Sequence, residues 1–274
     1  MLCLIAVKTE LCYNVFMAQI VNDDIQDLAV QAGSMILENG GETYRAEETA
    51  VSVAKSLGAE EAHSFVTPTV VILSWKNRDG RHFMNMNRIV RRGTNLKKLA
   101  LVNDLSRKIE WLGRVEKPEE LRQKFSQIQN TPEYPSAFSM LAAAVSSFFF
   151  ALMFGGTLVD GITAFVIGFA LRLVTIIFEK RLQNTFIMSL LQGFVIAILA
   201  TGYGRFNQNL NIDITMISAL MIVVPGITLV TAIRDVIAGD LMAGTARLVE
   251  ALMIAAGLSI GAVGGFLLLG TASV

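Results

Sequence analysis

The sequence predicts a polytopic α-helical membrane protein of about five transmembrane helices, preceded by an N-terminal soluble α+β domain. Three observations predict it. Of the 274 residues, 53% are hydrophobic and 17% charged, against about 45–50% apolar and about 25% charged in soluble globular chains. Most of the Lys, Arg, Asp and Glu fall before residue 135. Beyond that point, apolar runs reach the roughly 20 residues that a helix needs to cross a bilayer. The divisions expected are a poorly ordered extension over 1–23, a cytoplasmic α+β domain over 24–130 and a transmembrane domain over 131–274. A formal net charge of zero excludes a polyanion binder by bulk charge.

The opening MLCLIAVKTELCYNVFMAQI is too short and too polar to span, and no small-residue cleavage site follows it. Met17 is the expected start of the ordered protein. Cys3 and Cys12 lack zinc or redox spacing and read as incidental.

Residues 24–39 carry Ile25, Leu28, Ala29, Ala32, Met35 and Ile36 at helical spacing, so they form one amphipathic helix. Gly40 and Gly41 end it. A second helix follows over 42–57 and stops at Gly58. SFVTPTVVILSW and RHFMNMNRI read as two strands joined by an NRDG turn. Two further helices cover 95–112 and 118–127. The order ααββαα suits a small α+β domain, and the prolines of TPEYP mark its end.

The five apolar stretches are 135–154, 157–178, 185–203, 212–233 and 246–269. Lipid offers no partner to open backbone groups, so each is a helix. Basic residues alternate between the connections: Lys180 and Arg181 after the second stretch, Arg234 and Arg247 around the fourth connection, and only Arg205 between. This places the N-terminus inside and the C-terminus outside. Gly257, Gly261 and Gly265 stand four apart, a spacing that lets helices pack closely, within this chain or against another. An odd number of crossings suits one half of a larger assembly of inverted halves.

Catalytic signatures are absent from the soluble half: no GxGxxG, P-loop, HExxH or GxSxG occurs there. His63 and His82 read as polar residues of a solvated sheet edge. Arg88, Arg91, Arg92, Lys97 and Lys98 form a basic cluster suited to a solvated face or to anionic headgroups. No aromatic platform is interleaved with it, which argues against nucleic acid.

Four segments resemble the threonine/serine exporter family: GGETYRAEETA (40–50), VTPTVVILS (66–74), RRGTNLKKLALVNDLSR (91–107) and PGITLVTAIRDVIAGDLMAGTARLVEA (225–251). The resemblance implies a secondary transporter subunit that exports threonine, serine or a small dicarboxylate such as succinate. It implies no enzyme activity and no cofactor. It implies a location in the cell (inner) membrane and, in split members, a smaller membrane partner supplying the other half. A homo-oligomer is compatible with it. A membrane-anchored regulatory or scaffold protein is the competing class, against which the charges in and beside the spans argue.

Ionisable groups within spans are functional candidates by default. Asp160 lies near the outer start of the second stretch, and Arg172 lies about 18 Å further along it. Arg172 either snorkels to the interface or offers its charge to a substrate carboxylate. Pro225 and Gly226 interrupt the fourth stretch, as a kink or as a break that exposes backbone groups. Arg234, Asp235, Asp240, Arg247 and Glu250 follow. Arg247 and Glu250 share a helix face and suit an ion pair. Alternatively Asp235, Asp240 or Glu250 accepts a coupling proton, and Arg234 or Arg247 holds the solute carboxylate.

Overall fold

The computed structural model describes residues 25–113, 118–179, 181–182 and 184–270. The expected extension with Cys3 and Cys12, and Lys180 of the orientation argument, lie outside the described residues. The chain divides into two compact units. One takes in the chain up to Pro132 together with Val230–Arg247; the other takes in Glu133–Leu229 and the chain from Leu248.

In the first unit a π-helical turn, Ile25–Ala29, runs into α1 (Val30–Glu38). α1 is buried nearly all round, from Val30 through Leu37. α2 (Thr43–Ser56) follows the Gly40–Gly41 break. A Cβ at Gly41 would stand 2.5 Å from Ile36 Cγ2, 2.9 Å from Leu99 Cδ1 and 3.0 Å from the Ile36 carbonyl oxygen, so a side chain there would have to push its neighbours aside.

The sheet has three antiparallel strands, β1 (Glu61–Thr67), β2 (Val70–Lys76) and β3 (His82–Arg88), in that order. The run expected as one strand is therefore a hairpin. Thr67 pairs with Val70, which puts Pro68 in the turn; its missing N–H would break a continuous ladder. The NRDG turn forms as expected. Asn77 Oδ1 accepts from the N–H groups of Asp79 and Arg81, both at 3.0 Å. Gly80 adopts φ +77°, a conformation that other residues rarely take. Ala62, Val66, Val71, Leu73 and Trp75 face inward and join Leu28, Met35, Val53, Val102 and Phe125 in one core.

α3 (Leu96–Leu112) starts at Asn95, whose side chain accepts from Lys98 N–H, and ends at Gly113 in the left-handed region. α4 (Pro118–Gln129) opens on proline, whose missing N–H needs no partner at a first helical position. The unit is completed by the far half of α9 (Gly226–Ile237) and the first turns of α10 (Leu241–Gly270). Sequence placed these turns with the membrane half. They form a tight hairpin: a side chain on Gly244 would collide with Val236 and with the Ala232 carbonyl.

The second unit contains α5 (Ser136–Met153), α6 (Leu158–Phe178), α7 (Thr185–Gly204) and α8 (Ile212–Leu220), with the remaining lengths of α9 and α10. Ile167, Leu171, Ile196, Ala200 and Ala219 form its core. Four described helices are long and apolar enough to cross a membrane: α5, α6, α7 and α10. The stretch expected as the fourth span is instead two short helices, α8 and α9. Residues 221–225 separate them. Pro225 has no N–H to continue α8.

Small residues set the packing of α10 on α7. A Cβ on Gly257 would lie 2.8 Å from the Phe186 carbonyl oxygen, and one on Gly265 2.8 Å from that of Phe194. Gly261 stands against the Leu190 carbonyl between them. The glycine stripe is thus filled from within the chain.

Candidate functional site

The first turn of α2 lacks a cap of its own. Its N-cap residue is Glu42, in extended conformation, and the Glu42 side chain bonds none of the helix N–H groups. A helix start leaves N–H donors without partners and carries a partial positive charge. Asp235 of α9 answers both. Its Oδ1 accepts from the Thr43 N–H at 3.0 Å, and its Oδ2 from the Thr43 hydroxyl at 3.1 Å. Asp235 is wholly buried.

A buried carboxylate needs a counter-charge. Arg247, in the first turns of α10, provides it with Nε 3.0 Å from Asp235 Oδ2. The same guanidinium donates from Nη2 to the Gly41 carbonyl at 2.7 Å. Arg234, one residue before Asp235, reaches Glu42 instead, Nη1 to Oε1 at 2.7 Å. The other Glu42 oxygen meets Arg45 Nη1 at 3.3 Å, and Arg45 Nη2 donates to Asn103 Oδ1 at 3.3 Å. Burial pushes the Glu42 carboxyl up, but the hydrogen bonds and charges of Arg234 and Arg45 outweigh it and hold the group below its ordinary value.

A second pair of acids behaves oppositely. Glu47, one turn along α2, accepts the Val66 N–H at 2.9 Å. Burial raises its carboxyl, and the charges of Asp240 and Glu48 add to the rise against the Val66 hydrogen bond. Asp240, in the α9–α10 turn, is likewise raised, first by burial and then by Asp235. The cluster therefore holds two kinds of carboxyl: ones locked to arginine, and ones that bind a proton more readily than a free acid does.

Of the residues singled out from sequence, Arg234, Asp235, Asp240 and Arg247 are brought together here. Glu250 lies one turn beyond Arg247 and is partly buried. Asp160, Arg172, Pro225 and Gly226 belong to the second unit. Asp160 is buried and closes a capping box with Thr157: its Oδ2 accepts the Thr157 N–H at 2.7 Å and the hydroxyl at 2.9 Å. Its Oδ1 accepts the Asn211 N–H at 2.7 Å. These bonds tie the start of α6 to the start of α8. Arg172 donates from Nε to Ser139 Oγ at 2.6 Å, joining α6 to α5. Gly226 opens α9 immediately after Pro225.

Sequence reading passed over Gly41, Glu42, Thr43, Arg45 and Glu47. The available signal was the missing cap: no Ser, Thr, Asp or Asn precedes the helix at 42, so an acceptor had to arrive from elsewhere. Among the described residues, no group of His, Cys, Asp and Glu is arranged to hold a metal ion.

Among the described residues, four apolar helices of crossing length define a polytopic membrane protein. The chain belongs to the threonine/serine exporter family, whose model, ThrE, matches residues 27–269. It is 23% identical over 244 residues to the threonine/serine exporter of Corynebacterium glutamicum, an alignment covering 86% of this chain and 50% of that protein. The chain thus spans half the length of this curated relative. No solved structure matches it.

Proposed function

We propose that this chain is one part of a secondary transporter that exports a small amino acid of the threonine or serine type, and that the Thr43–Asp235–Arg247 cluster is its polar gate. The observation that carries the reading is the buried Asp235 carboxylate, seated on a helix start and paired with an arginine. A solute carboxylate has the same charge and the same acceptor geometry. It competes with Asp235 for the Thr43 N–H and the Arg247 guanidinium, so solute arrival unlatches α9 from α2. Glu47 and Asp240, whose carboxyls are raised, supply the coupling proton site beside this latch.

α8 and α9 together make the fifth crossing, interrupted at Pro225 and Gly226, with the N-terminus inside and the C-terminus outside. A second membrane protein supplies the remaining crossings of the transporter. The test is efflux of labelled threonine from proteoliposomes that hold this chain and a smaller membrane partner from the same genome. Efflux driven by an inward proton gradient is expected, with loss in Arg247→Ala and Asp240→Asn. Unchanged efflux in both variants removes the gate assignment. Preferential efflux of succinate moves the substrate to the dicarboxylates.

A further inference from the structure

The stretch from Arg81 to Lys98 carries six basic residues and no acidic one, in a chain whose net charge is zero. It also exposes large apolar side chains, as Trp111 and Leu112 at the end of α3 and Ile237 and Met242 at the α9–α10 turn do elsewhere in the first unit. The inward face of β3 is committed: Asn85 donates to the Gln26 carbonyl at 3.1 Å and Asn87 to Ser34 Oγ at 2.9 Å. The outward face carries Met84 and Met86. Met86 stands in register with Ile72 and, across it, with Phe65. Met86 is 67% exposed, and Val90, two residues beyond β3, is 82% exposed. Arg88 and Arg91 flank Val90 and are exposed as well. Lys98 is partly committed, to the Gln129 carbonyl.

Exposed apolar side chains set among cations of one sign are the signature of a surface that lies on an anionic bilayer. The stretch is also tied, within the first unit, to the start of α10. Gly93 and Asn95 donate their N–H groups to the carbonyls of Glu38 and Asn39. Two residues further along, the Gly41 carbonyl is bonded by Arg247 of α10, a helix apolar enough to cross.

We infer that the segment from Met84 to Lys97 is a lipid-binding surface, with Met86 and Val90 dipping into the headgroup layer and Arg88 and Arg91 meeting anionic lipid phosphates. The inference rests on the inside placement of this unit proposed above, and not on export.

The test uses the full chain in nanodiscs, with Cys3→Ser, Cys12→Ser and Val90→Cys carrying a polarity-sensitive fluorophore. In discs containing phosphatidylglycerol the label should be shielded from acrylamide, an aqueous quencher, about fivefold more than in phosphatidylcholine alone; about fivefold is the partition gain expected per basic residue at such a surface. Arg88→Gln with Arg91→Gln should remove the difference, and so should high salt on the parent protein, which needs no new fold. Equal quenching in the two lipids overturns the inference. So does shielding that free inorganic phosphate abolishes, and so does shielding that grows with the number of copies per disc, which marks a protein contact. Efflux does not enter any of these readings.

Discussion

Asp235 caps a helix that begins 192 residues before it, its two carboxylate oxygens taking the N–H and the hydroxyl of Thr43. This single contact joins two of the four family-like segments, GGETYRAEETA and the run from Pro225. It also orders the energetics of the cluster, because the carboxylate is fully buried and its counter-ion Arg247 is nearly so.

Removing one partner of a buried pair strands the other charge, at a cost of about 3–5 kcal/mol. Asp235→Ala also takes away the cap, worth about 1 kcal/mol. Asp235→Ala should therefore lower the melting temperature in detergent strongly. Thr43→Ala, which keeps the backbone N–H donor, should lower it far less. Equal losses in the two variants would show that the hydroxyl, and not the buried ion pair, anchors α9.

Arg234 makes the shorter bond, to Glu42 at 2.7 Å, yet its side chain is 60% exposed. Water screens the exposed guanidinium and weakens its pull on the buried Glu42, and Glu42 keeps Arg45 as a second partner. Arg234→Ala should leave the melting temperature within a few degrees of the parent while Arg247→Ala does not. A drop as large as that of Arg247→Ala would mean that Glu42 depends on Arg234 alone.

The raised acids set a pH dependence with a definite sign. Burial and neighbouring charge lift Glu47 above its ordinary 4.5 and Asp240 above 3.8. The folded protein then keeps protons that the unfolded chain has released. Their contribution to stability is full below the ordinary values and is lost as pH climbs through the raised ones. Glu42, held below 4.5 by its arginines despite burial, works the other way: its contribution is present above 4.5 and is lost as pH falls through the lowered value. Glu47→Gln and Asp240→Asn should each flatten the decline on the alkaline side of the acid range and raise the melting temperature near neutral pH. Glu42→Gln should lower it there. A Glu47→Gln protein that still declines with the parent's slope would place the proton elsewhere.

Much of this architecture was legible in the sequence. Amphipathic spacing from Ile25 to Ile36, the glycines at 40, 41 and 58, and the NRDG turn each carry a local cause, and the helices and turns fall there. Local causes also fix the ends of α5, α6 and α7 within a residue or two. The sheet was misread where a local rule was passed over: Pro68 cannot sit inside a ladder, so the run from Ser64 to Trp75 had to fold back. The fourth apolar stretch was read by length, and Pro225 divides it. The site was half legible. Arg234, Asp235, Asp240 and Arg247 drew notice as charges in apolar surroundings. Their partners Gly41 and Thr43 carry no such mark, because a backbone carbonyl and a helix N–H look the same in every sequence. Which carboxylate reaches which helix start is a tertiary fact.

The glycine stripe of α10 makes the sharpest packing test in the second unit. A Cβ on Gly261 would be driven into the Leu190 carbonyl, and would stand 2.9 Å from Phe194 N. Both are backbone atoms of α7, which cannot swing aside as a side chain can, so the helices must part along their length. Overpacking of this kind costs about 1–3 kcal/mol. Gly264, on the same helix, is different: a Cβ there meets only Phe194 Cδ2, at 4.0 Å. Alanine is favoured over glycine inside a helix by about 1 kcal/mol. Gly261→Ala should therefore lower the melting temperature of the detergent-solubilised chain, and Gly264→Ala should leave it unchanged or raise it. Both glycines lose the same backbone freedom on folding, so the contrast isolates the α7–α10 contact from helix propensity. If Gly261→Ala were as stable as Gly264→Ala, α10 would not lie against the α7 backbone at Leu190, and the stripe would be open to a second chain.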